Sequence, residues 1–299
     1  MRRPIIVVFF SLFFSHFLMA SQALAAERGA LFRVTDKDNT LYLYGTVHAG
    51  RADFYPLEPR IRAALAGAKT LALEIDAARD PAAVVAAFQL HGMFTAASEG
   101  MAGLPEARRR RIEAGLKAQG LDPAAVARMR PWMVTMVLAL VEMGKLGYDP
   151  ALGVDSHLAR LAQGGNTRIV ELESVQYQAS LLNRLPLADQ WRLLEETLDN
   201  LASGRQLREA RELFDAYERA DQAALDRIAR RVDLDDSFTG KFMRDVLLIE
   251  RNGPMADKVA ALLARENKAV VAVGLLHLLG QNGLPELLRR RGVKVERVY

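Results

Sequence analysis

Two histidines in the same short pattern, Gly-x-x-His, are the residues whose type and spacing could do chemistry. The patterns are Gly45-Thr46-Val47-His48 and Gly274-Leu275-Leu276-His277, and an apolar run typical of a buried β-strand precedes each of them. In open α/β sheets, ligands bind in the crevice beyond the carboxyl ends of the strands. If the two strands share a sheet, we expect His48 and His277 to meet there. Each glycine would tolerate a positive φ and let the backbone pass close to a bound group.

Two glutamates lie at or just before the ends of two further predicted strands. Glu74 interrupts a nearly continuous apolar run, and a carboxylate is costly to bury without a partner, which favours a functional role. Glu173 has two open interpretations, a site residue or the cap of a helix that starts near Ser174. Asp155 is interpreted more simply, as the cap of a helix over residues 156–163.

Arg251 lies at a predicted break in a long helical stretch, residues 237–267. Gly253-Pro254 follows it closely, and proline removes a backbone donor, so the helix is expected to kink or split there. The guanidinium could form a structural ion pair with Glu250 or Asp155. It could instead bind a substrate carboxylate or oxyanion through its fork of donors. Both alternatives stay open on the sequence alone.

His48, His277 and Glu74 are a sufficient set of ligands for one divalent ion, such as manganese, cobalt or zinc. Two imidazoles and a carboxylate would leave a position for a water molecule, whose pKa the ion lowers. A metal-free alternative uses a histidine as general base, with a carboxylate that holds its tautomer. Glu173 and Arg251 are expected to support the site in either case. The chain has no cysteine, which excludes disulfides, thiol chemistry and a lipid anchor on an N-terminal cysteine.

The first 25 residues have the pattern of a secretory signal peptide. Arg2 and Arg3 begin it, residues 5–20 are almost entirely apolar, and Ala23-Leu24-Ala25 offers a small-x-small cleavage site. An uncleaved anchor is the rival interpretation, because the apolar run borders on the length that spans a bilayer. We expect cleavage after Ala25 and export to the periplasm or the outside of the cell.

Residues 26–299 are expected to form one α/β domain with a nearly neutral charge. Without Arg2 and Arg3, 38 basic residues stand against 36 acidic ones, which argues against nucleic acid as a partner. The basic run Arg108-Arg109-Arg110-Arg111 has acidic neighbours in a helical stretch and predicts a solvated helix face. We expect a peptide or small-molecule substrate and no stable membrane span after signal cleavage.

The order of the predicted elements indicates a mixed central sheet flanked by helices. A hairpin over residues 31–47 comes first, and the remaining predicted strands cover residues 70–76, 167–173, 269–273 and 293–299. Alternation of strands and helices is typical of an α/β fold. The helical insertions, about residues 81–146 and 186–231, are expected to form a cap over one end.

The motifs together resemble the TraB/GumN proteins, in a wider grouping with the Tiki metalloproteases, the pheromone-shutdown protein PrgY, the erythromycin esterases and the haem-binding ChaN. The resemblance runs from end to end of residues 26–299. It rests on Tyr42 to His48, Phe54 to Leu57, Leu73 to Asp76, Pro131-Trp132, Gly147 to Pro150, Gly153 to Asp155, Leu172 to Ser174 with Gln178, Arg251-Asn252, and Val273 to Leu278 with Gly280 and Gly283-Leu284.

This resemblance implies a fold of two related halves, like that of the erythromycin esterases and ChaN, with each half donating one Gly-x-x-His. For Tiki-like proteins it implies a metal-dependent protease. The chain departs from the usual pattern at Leu275-Leu276, where smaller residues are commoner, and at Gly253-Pro254. We therefore expect an exported hydrolase of peptide or related acyl bonds. The alternative is a periplasmic protein that binds haem, a peptide or a saccharide without turnover.

Overall fold

One mixed sheet organises the computed structural model, which describes residues 26–96 and 99–299. The predicted signal peptide lies outside the described residues. Within them the sheet order is β4-β3-β5-β2-β1-β6, and its strands are β1 Leu31–Asp36, β2 Asn39–Thr46, β3 Thr70–Leu73, β4 Arg168–Glu171, β5 Ala269–Gly274 and β6 Lys294–Arg297. The expected α/β fold with a mixed sheet is confirmed.

The two Gly-x-x-His patterns follow neighbouring parallel strands, β2 and β5. Thr46 pairs with Gly274 in this ladder, so the two patterns leave the sheet side by side. Strand β3 is parallel to both β5 and β4. Because these four strands run in one direction, their carboxyl ends lie at the same edge of the sheet. Glu74 and Glu173 leave β3 and β4 at that edge as well.

Helices cover both faces of the sheet and build the cap. The α-helices are α1 Pro59–Ala66, α2 Pro81–Gly92, α3 Glu106–Ala118, α4 Pro131–Lys145, α5 Val154–Gln163, α6 Val175–Asn183, α7 Leu187–Ala202, α8 Arg205–Glu218, α9 Gln222–Leu234, α10 Phe238–Phe242, α11 Glu250–Arg265 and α12 Leu284–Arg290. Short 3₁₀ helices span Ala52–Phe54, Met101–Gly103, Pro150–Leu152 and Leu275–Leu278. Among the described residues, no helix combines the length and the apolar character needed to cross a membrane.

Two apolar clusters fill the interior. The larger one packs both faces of the central strands, whose core residues are almost completely buried. The smaller one lies in the cap, where Ile112 and Leu116 of α3 meet Leu138 of α4 and Trp191 and Leu194 of α7. The cap therefore has an apolar cluster of its own, separate from that of the sheet.

The basic run on α3 is only partly a solvated face. Arg108 donates two hydrogen bonds to Glu195 of α7, at 2.8 and 2.9 Å, and Arg111 donates to Asp199 of the same helix. The arginines are still substantially exposed, so the predicted solvated face also contacts α7 through these ion pairs. Sequence-local acidic neighbours could not reveal these ion pairs, because the partners lie on another helix.

Of the predicted kink or split at Gly253-Pro254, the split is wrong. Pro254 lies inside the continuous helix α11. The irregular backbone precedes this helix in the chain, in a π-helical segment over Met243–Ile249. A π-helical turn changes the directions in which the following side chains point, and such turns are frequent at functional sites. Arg251, in the first turn of α11, uses this geometry: its Nη1 donates to the carbonyl of Leu247 at 3.1 Å.

Neither glycine that begins a Gly-x-x-His pattern has a positive φ. The sequence-based expectation of a positive φ is therefore wrong, whereas a close approach of the backbone is present at Gly45. Gly274 has a φ of −50°, and Gly45 is not among the glycines with positive φ. Close approach is the reason for Gly45: a Cβ there would lie 2.7 Å from Leu275 Cδ1 and 3.3 Å from Leu275 Cα. The large Leu275 of the second pattern thus packs directly on the glycine of the first.

We expect Gly45→Ala to destabilise the fold by about 1–3 kcal/mol, the usual cost of overpacking a core. Leu275 is buried, and its backbone is too close to yield freely. The matched control is Gly144→Ala on α4, where a Cβ would meet no atom within 4 Å and would favour the helix by up to about 1 kcal/mol. Urea unfolding of both variants measures the difference, and equal midpoints for the two would contradict the packing argument.

Candidate functional site

His48 stands at the solvent side of the site and has Asp155 as its partner. Its side chain is 65% exposed, and Nδ1 lies 3.3 Å from Asp155 Oδ2. Asp155 is in the first turn of α5, but Gly153 is the N-cap of that helix, so the predicted capping role is wrong. Gly153 is required there because a Cβ would lie 2.7 Å from the carbonyl oxygen of His48. This close approach is what brings Asp155 to the imidazole.

Arg251 lies between two buried carboxylates, those of Glu74 and Glu173. Its Nη2 donates to Glu74 Oε2 and, at 2.6 Å, to Glu173 Oε2, while Nε donates to both oxygens of Glu173 at 3.1 Å. Only 11% of the Arg251 side chain is exposed, against 8% for Glu74 and 6% for Glu173. Neither ion pair proposed from the sequence is formed, because Glu250 pairs with Arg184 and Asp155 with His48.

Glu173 is a member of this cluster rather than a helix cap. Ser174 caps α6, accepting from the backbone N–H of Tyr177 at 3.2 Å. The amide of Gln178, on the same helix, donates to Glu173 Oε2 at 2.9 Å and to Glu74 Oε2 at 3.2 Å. The two carboxylates are therefore held by an arginine and an amide together.

His277 is buried behind His48 and beside Glu74. Its Nδ1 lies 2.6 Å from Asn252 Oδ1, and its Nε2 lies 3.8 Å from Glu74 Oε1. The same oxygen of Glu74 accepts a hydrogen bond of 2.6 Å from the backbone N–H of Gly274. The second Gly-x-x-His pattern therefore holds the carboxylate with its glycine and places its histidine next to it.

Three candidate side chains surround one point above Gly274. A Cβ on this glycine would lie 3.2 Å from Glu74 Oε1, 3.6 Å from His48 Nε2 and 3.6 Å from His277 Cδ2. The absence of a side chain at Gly274 is what leaves this space between the groups. The structure thus brings together all five candidate residues of the sequence. Glu74, His48 and His277 surround this point, and Arg251 joins Glu74 to Glu173.

The electrostatic environment gives the two histidines opposite protonation behaviour. Asp155 raises the pKa of His48 to about 9, in spite of partial desolvation. Burial lowers the pKa of His277 to about 4, although Glu74 acts in the other direction. At neutral pH the site therefore holds a cationic His48 and a neutral His277. A proton donor and a proton acceptor close to one another can act together in general acid–base catalysis.

Glu74 is ionised in spite of its burial. Desolvation opposes the charge, but His277, His48, Arg251 and the N–H of Gly274 outweigh it and lower the pKa of Glu74 to about 2. Because His277 is neutral at neutral pH, the effective cations there are His48 and Arg251. The carboxylate is a permanent acceptor in this site.

The donor atoms suit a divalent ion. Asp155 and Asn252 engage the Nδ1 atoms of His48 and His277, so both Nε2 atoms remain for other partners, as does part of Glu74 Oε1. Imidazole nitrogens with outer partners and a carboxylate oxygen are common ligands of zinc, cobalt and manganese. The described ranges nevertheless contain no group of three or more histidine, aspartate or glutamate side chains already placed to hold an ion. The metal stays a prediction.

The sequence predicts no place at the site for three of the residues that contact the histidines and glutamates. Asp155 has the position of a helix cap, and Asn252 and Gln178 belong only to the motifs that resemble the family. Each of them acts on a residue that is distant in sequence, so helix periodicity gives no sign of the contact. The available signal was their place within the motifs, Gly153 to Asp155, Arg251-Asn252, and Gln178 after Glu173-Ser174.

Comparison with known proteins agrees with the motifs. The sequence model of the TraB/PrgY/gumN family matches residues 30–297. The chain is 28% identical over 253 residues to "Uncharacterized protein YbaP" from Escherichia coli (strain K12) and from Shigella flexneri, which covers 83% of this chain and 87% of each relative. No solved structure matches the chain significantly. The resemblance inferred from the motifs is confirmed.

We expect Arg251→Met to destabilise the fold by about 3–5 kcal/mol, because it leaves Glu74 and Glu173 buried without their cation. The matched control is Arg184→Met, which removes the exposed pair with Glu250 and should cost no more than about 1 kcal/mol. Chemical unfolding at neutral pH measures both. Similar losses in the two variants would show that the Arg251 cluster is no more important than a surface pair.

Stability should fall as the pH is lowered from about 6.5 to about 4. In that window the unfolded chain protonates His277 at its usual pKa of 6.5, whereas the folded protein resists until about 4. Glu74 adds a further loss between 4.5 and about 2. His48 has the opposite sign, because its stabilisation is complete below pH 6.5 and is lost as the pH rises toward 9.

Unfolding by urea at several pH values measures these windows. His277→Gln should flatten the profile between pH 6.5 and 4, and His48→Gln should flatten it between 6.5 and 9. A His277→Gln variant that retains the full wild-type loss below pH 6.5 would contradict the assignment.

Proposed function

The chain belongs to the TraB/PrgY/gumN family, and we propose that it is an exported hydrolase that cleaves peptide or related acyl bonds in the periplasm or outside the cell. The observation that carries the proposal is the convergence of His48, His277 and Glu74 around Gly274. Export rests on the signal-like sequence of residues 1–25. The peptide-like substrate rests on the resemblance to the Tiki metalloproteases.

Proton transfer can be divided between the two histidines. Neutral His277 is the general base that takes a proton from an attacking water molecule, and its burial keeps it unprotonated at neutral pH. His48, held as a cation by Asp155, is the general acid that protonates the leaving group. Its exposed position suits contact with a substrate that arrives from solvent. A positioned acid or base contributes typically about 100- to 10,000-fold to a rate.

Glu74 is the fixed negative charge of the reaction centre. It stabilises the imidazolium that forms on His277 after proton transfer, because Glu74 Oε1 lies 3.8 Å from His277 Nε2. Arg251 donates hydrogen bonds to both Glu74 and Glu173 and so holds Glu74 in place. Since the Arg251 guanidinium is already engaged by both carboxylates, we assign it to holding Glu74 rather than to binding substrate.

A divalent ion, when bound, would lower the pKa of the attacking water molecule. Its ligands would be His48, His277 and Glu74, and manganese, cobalt and zinc are the candidates. His48 would have to lose its proton to ligate, so an ion and an acidic His48 exclude each other. Metal content therefore decides which of the two forms of catalysis the site uses.

We expect His48→Ala and His277→Ala each to lower hydrolysis by at least about 100-fold while leaving the fold intact. The assay screens fluorogenic peptides and activated esters with the purified exported protein, and circular dichroism reports the fold. The matched control is His91→Ala, because His91 lies on α2 and is not one of the residues that form the site, so its replacement should leave activity unchanged.

Elemental analysis of the same samples distinguishes metal-dependent catalysis from catalysis by the histidines alone. About one divalent ion per wild-type chain, lost in both histidine variants, supports the metal-dependent form. A metal-free active enzyme supports the histidine-only form. Full activity in His48→Ala would overturn the assignment of hydrolysis to this site. A Soret band in the purified protein, with no turnover of any substrate, would favour the haem-binding alternative instead.

A further inference from the structure

We propose that Asn252 is a positioning residue, which holds neutral His277 in the tautomer with its proton on Nδ1 and so leaves Nε2 as the proton acceptor of the site. The role in catalysis rests on the proposed function. The assignment of the tautomer does not, because it follows from the hydrogen bonds alone.

The orientation of the Asn252 amide is fixed from its far end. Asn252 is buried, and its Nδ2 donates to the backbone carbonyl of Asn282 at 2.7 Å. A carbonyl oxygen can only accept a hydrogen bond, so the NH₂ group of the amide has to face Asn282. The reversed amide would place two acceptors against each other in a buried position. Oδ1 therefore faces His277.

The proton on His277 follows from that orientation. Nδ1 lies 2.6 Å from Asn252 Oδ1, which is an acceptor only, so Nδ1 has to be the donor. A neutral imidazole carries one ring proton, and Nε2 is left with its lone pair. The competing tautomer would place the proton on Nε2, where Glu74 Oε1 is an ionised acceptor at 3.8 Å. The contact of His277 with Asn252, at 2.6 Å, is much shorter than its contact with Glu74, at 3.8 Å.

The competing tautomer would be inactive as a base. With its proton on Nε2, His277 would direct a donor at Glu74, and its free lone pair would point away from the space at Gly274. Without Asn252, the carboxylate of Glu74 is the nearest acceptor and would draw the proton to Nε2. The short bond from Asn252 is therefore what keeps the reactive nitrogen on the correct side of the ring.

Asn252 lies in the first turn of α11. It follows Arg251 directly, after the π-helical segment Met243–Ile249, so two consecutive residues serve two different members of the site. Arg251 holds Glu74, and Asn252 holds His277. One helix start thus sets both the position of the carboxylate and the tautomer of the base.

Nitrogen-15 NMR of the imidazole rings tests the assignment without a substrate. The exported, purified protein is labelled with ¹⁵N, and long-range correlations to the ring protons distinguish Nδ1 from Nε2 at neutral pH. His277→Ala identifies the His277 signals by their loss. In the wild type we expect the protonated nitrogen to be Nδ1. In Asn252→Leu the ratio of tautomers should move toward Nε2–H by about fivefold or more, the factor that a typical net hydrogen bond supplies.

Two variants serve as controls. Asn252→Asp keeps an acceptor against Nδ1 and should keep a proton there, but the new carboxylate should also raise the pKa of His277, as Asp155 raises that of His48. Asn282→Ala keeps the backbone carbonyl that orients Asn252, so it should leave the tautomer unchanged. A wild type with its proton on Nε2 overturns the proposal, and so does an unchanged ratio in Asn252→Leu. If Asn252→Leu does not fold, the position of the ring proton in the wild type still decides.

Once a substrate is found, Asn252→Leu should lower kcat about 10- to 100-fold with little change in KM. The two levels of the account fail separately. A Nδ1–H tautomer in a protein without hydrolytic activity would refute the proposed function alone. An active enzyme whose tautomer is unaffected by Asn252→Leu would refute the role of Asn252 alone.

Discussion

The interaction on which the site depends is the buried contact of Arg251 with Glu74 and Glu173. Burying two carboxylates without a cation would be very costly, and the groups would take up protons instead. With the guanidinium between them, Glu74 stays ionised and Glu173 ties the end of β4 to the start of α11. The fixed Glu74 then accepts from Gly274, which aligns the end of β5 and brings His277 beside the charge.

The two histidines beside Glu74 differ in protonation because they differ in burial and in the residues that contact their Nδ1 atoms. A carboxylate, Asp155, accompanies exposed His48, whereas a neutral amide, Asn252, accompanies buried His277. The same pattern of residues on two parallel strands thus yields one cationic and one neutral imidazole. An enzyme that needs both an acid and a base at neutral pH requires such a division, and environment rather than residue type produces it.

The strands and the membership of the site could be predicted from the sequence, because both depend on local patterns. Apolar runs that end in Gly-x-x-His or in glutamate placed His48, His277, Glu74 and Glu173 at strand ends. The errors concern contacts that no local pattern encodes. Asp155 lies near a helix start but contacts His48, and Pro254 lies inside α11, downstream of a π-helical segment.

The central claim is that the two Gly-x-x-His patterns serve one reaction centre, and a double-mutant cycle on hydrolysis tests it most directly. The rates of His48→Ala, His277→Ala and the double variant are compared with that of the wild type. Groups that act as a unit have strongly non-additive effects, so the account expects the double variant to be about as slow as the slower single variant. Losses that multiply, as for independent sites, would contradict it.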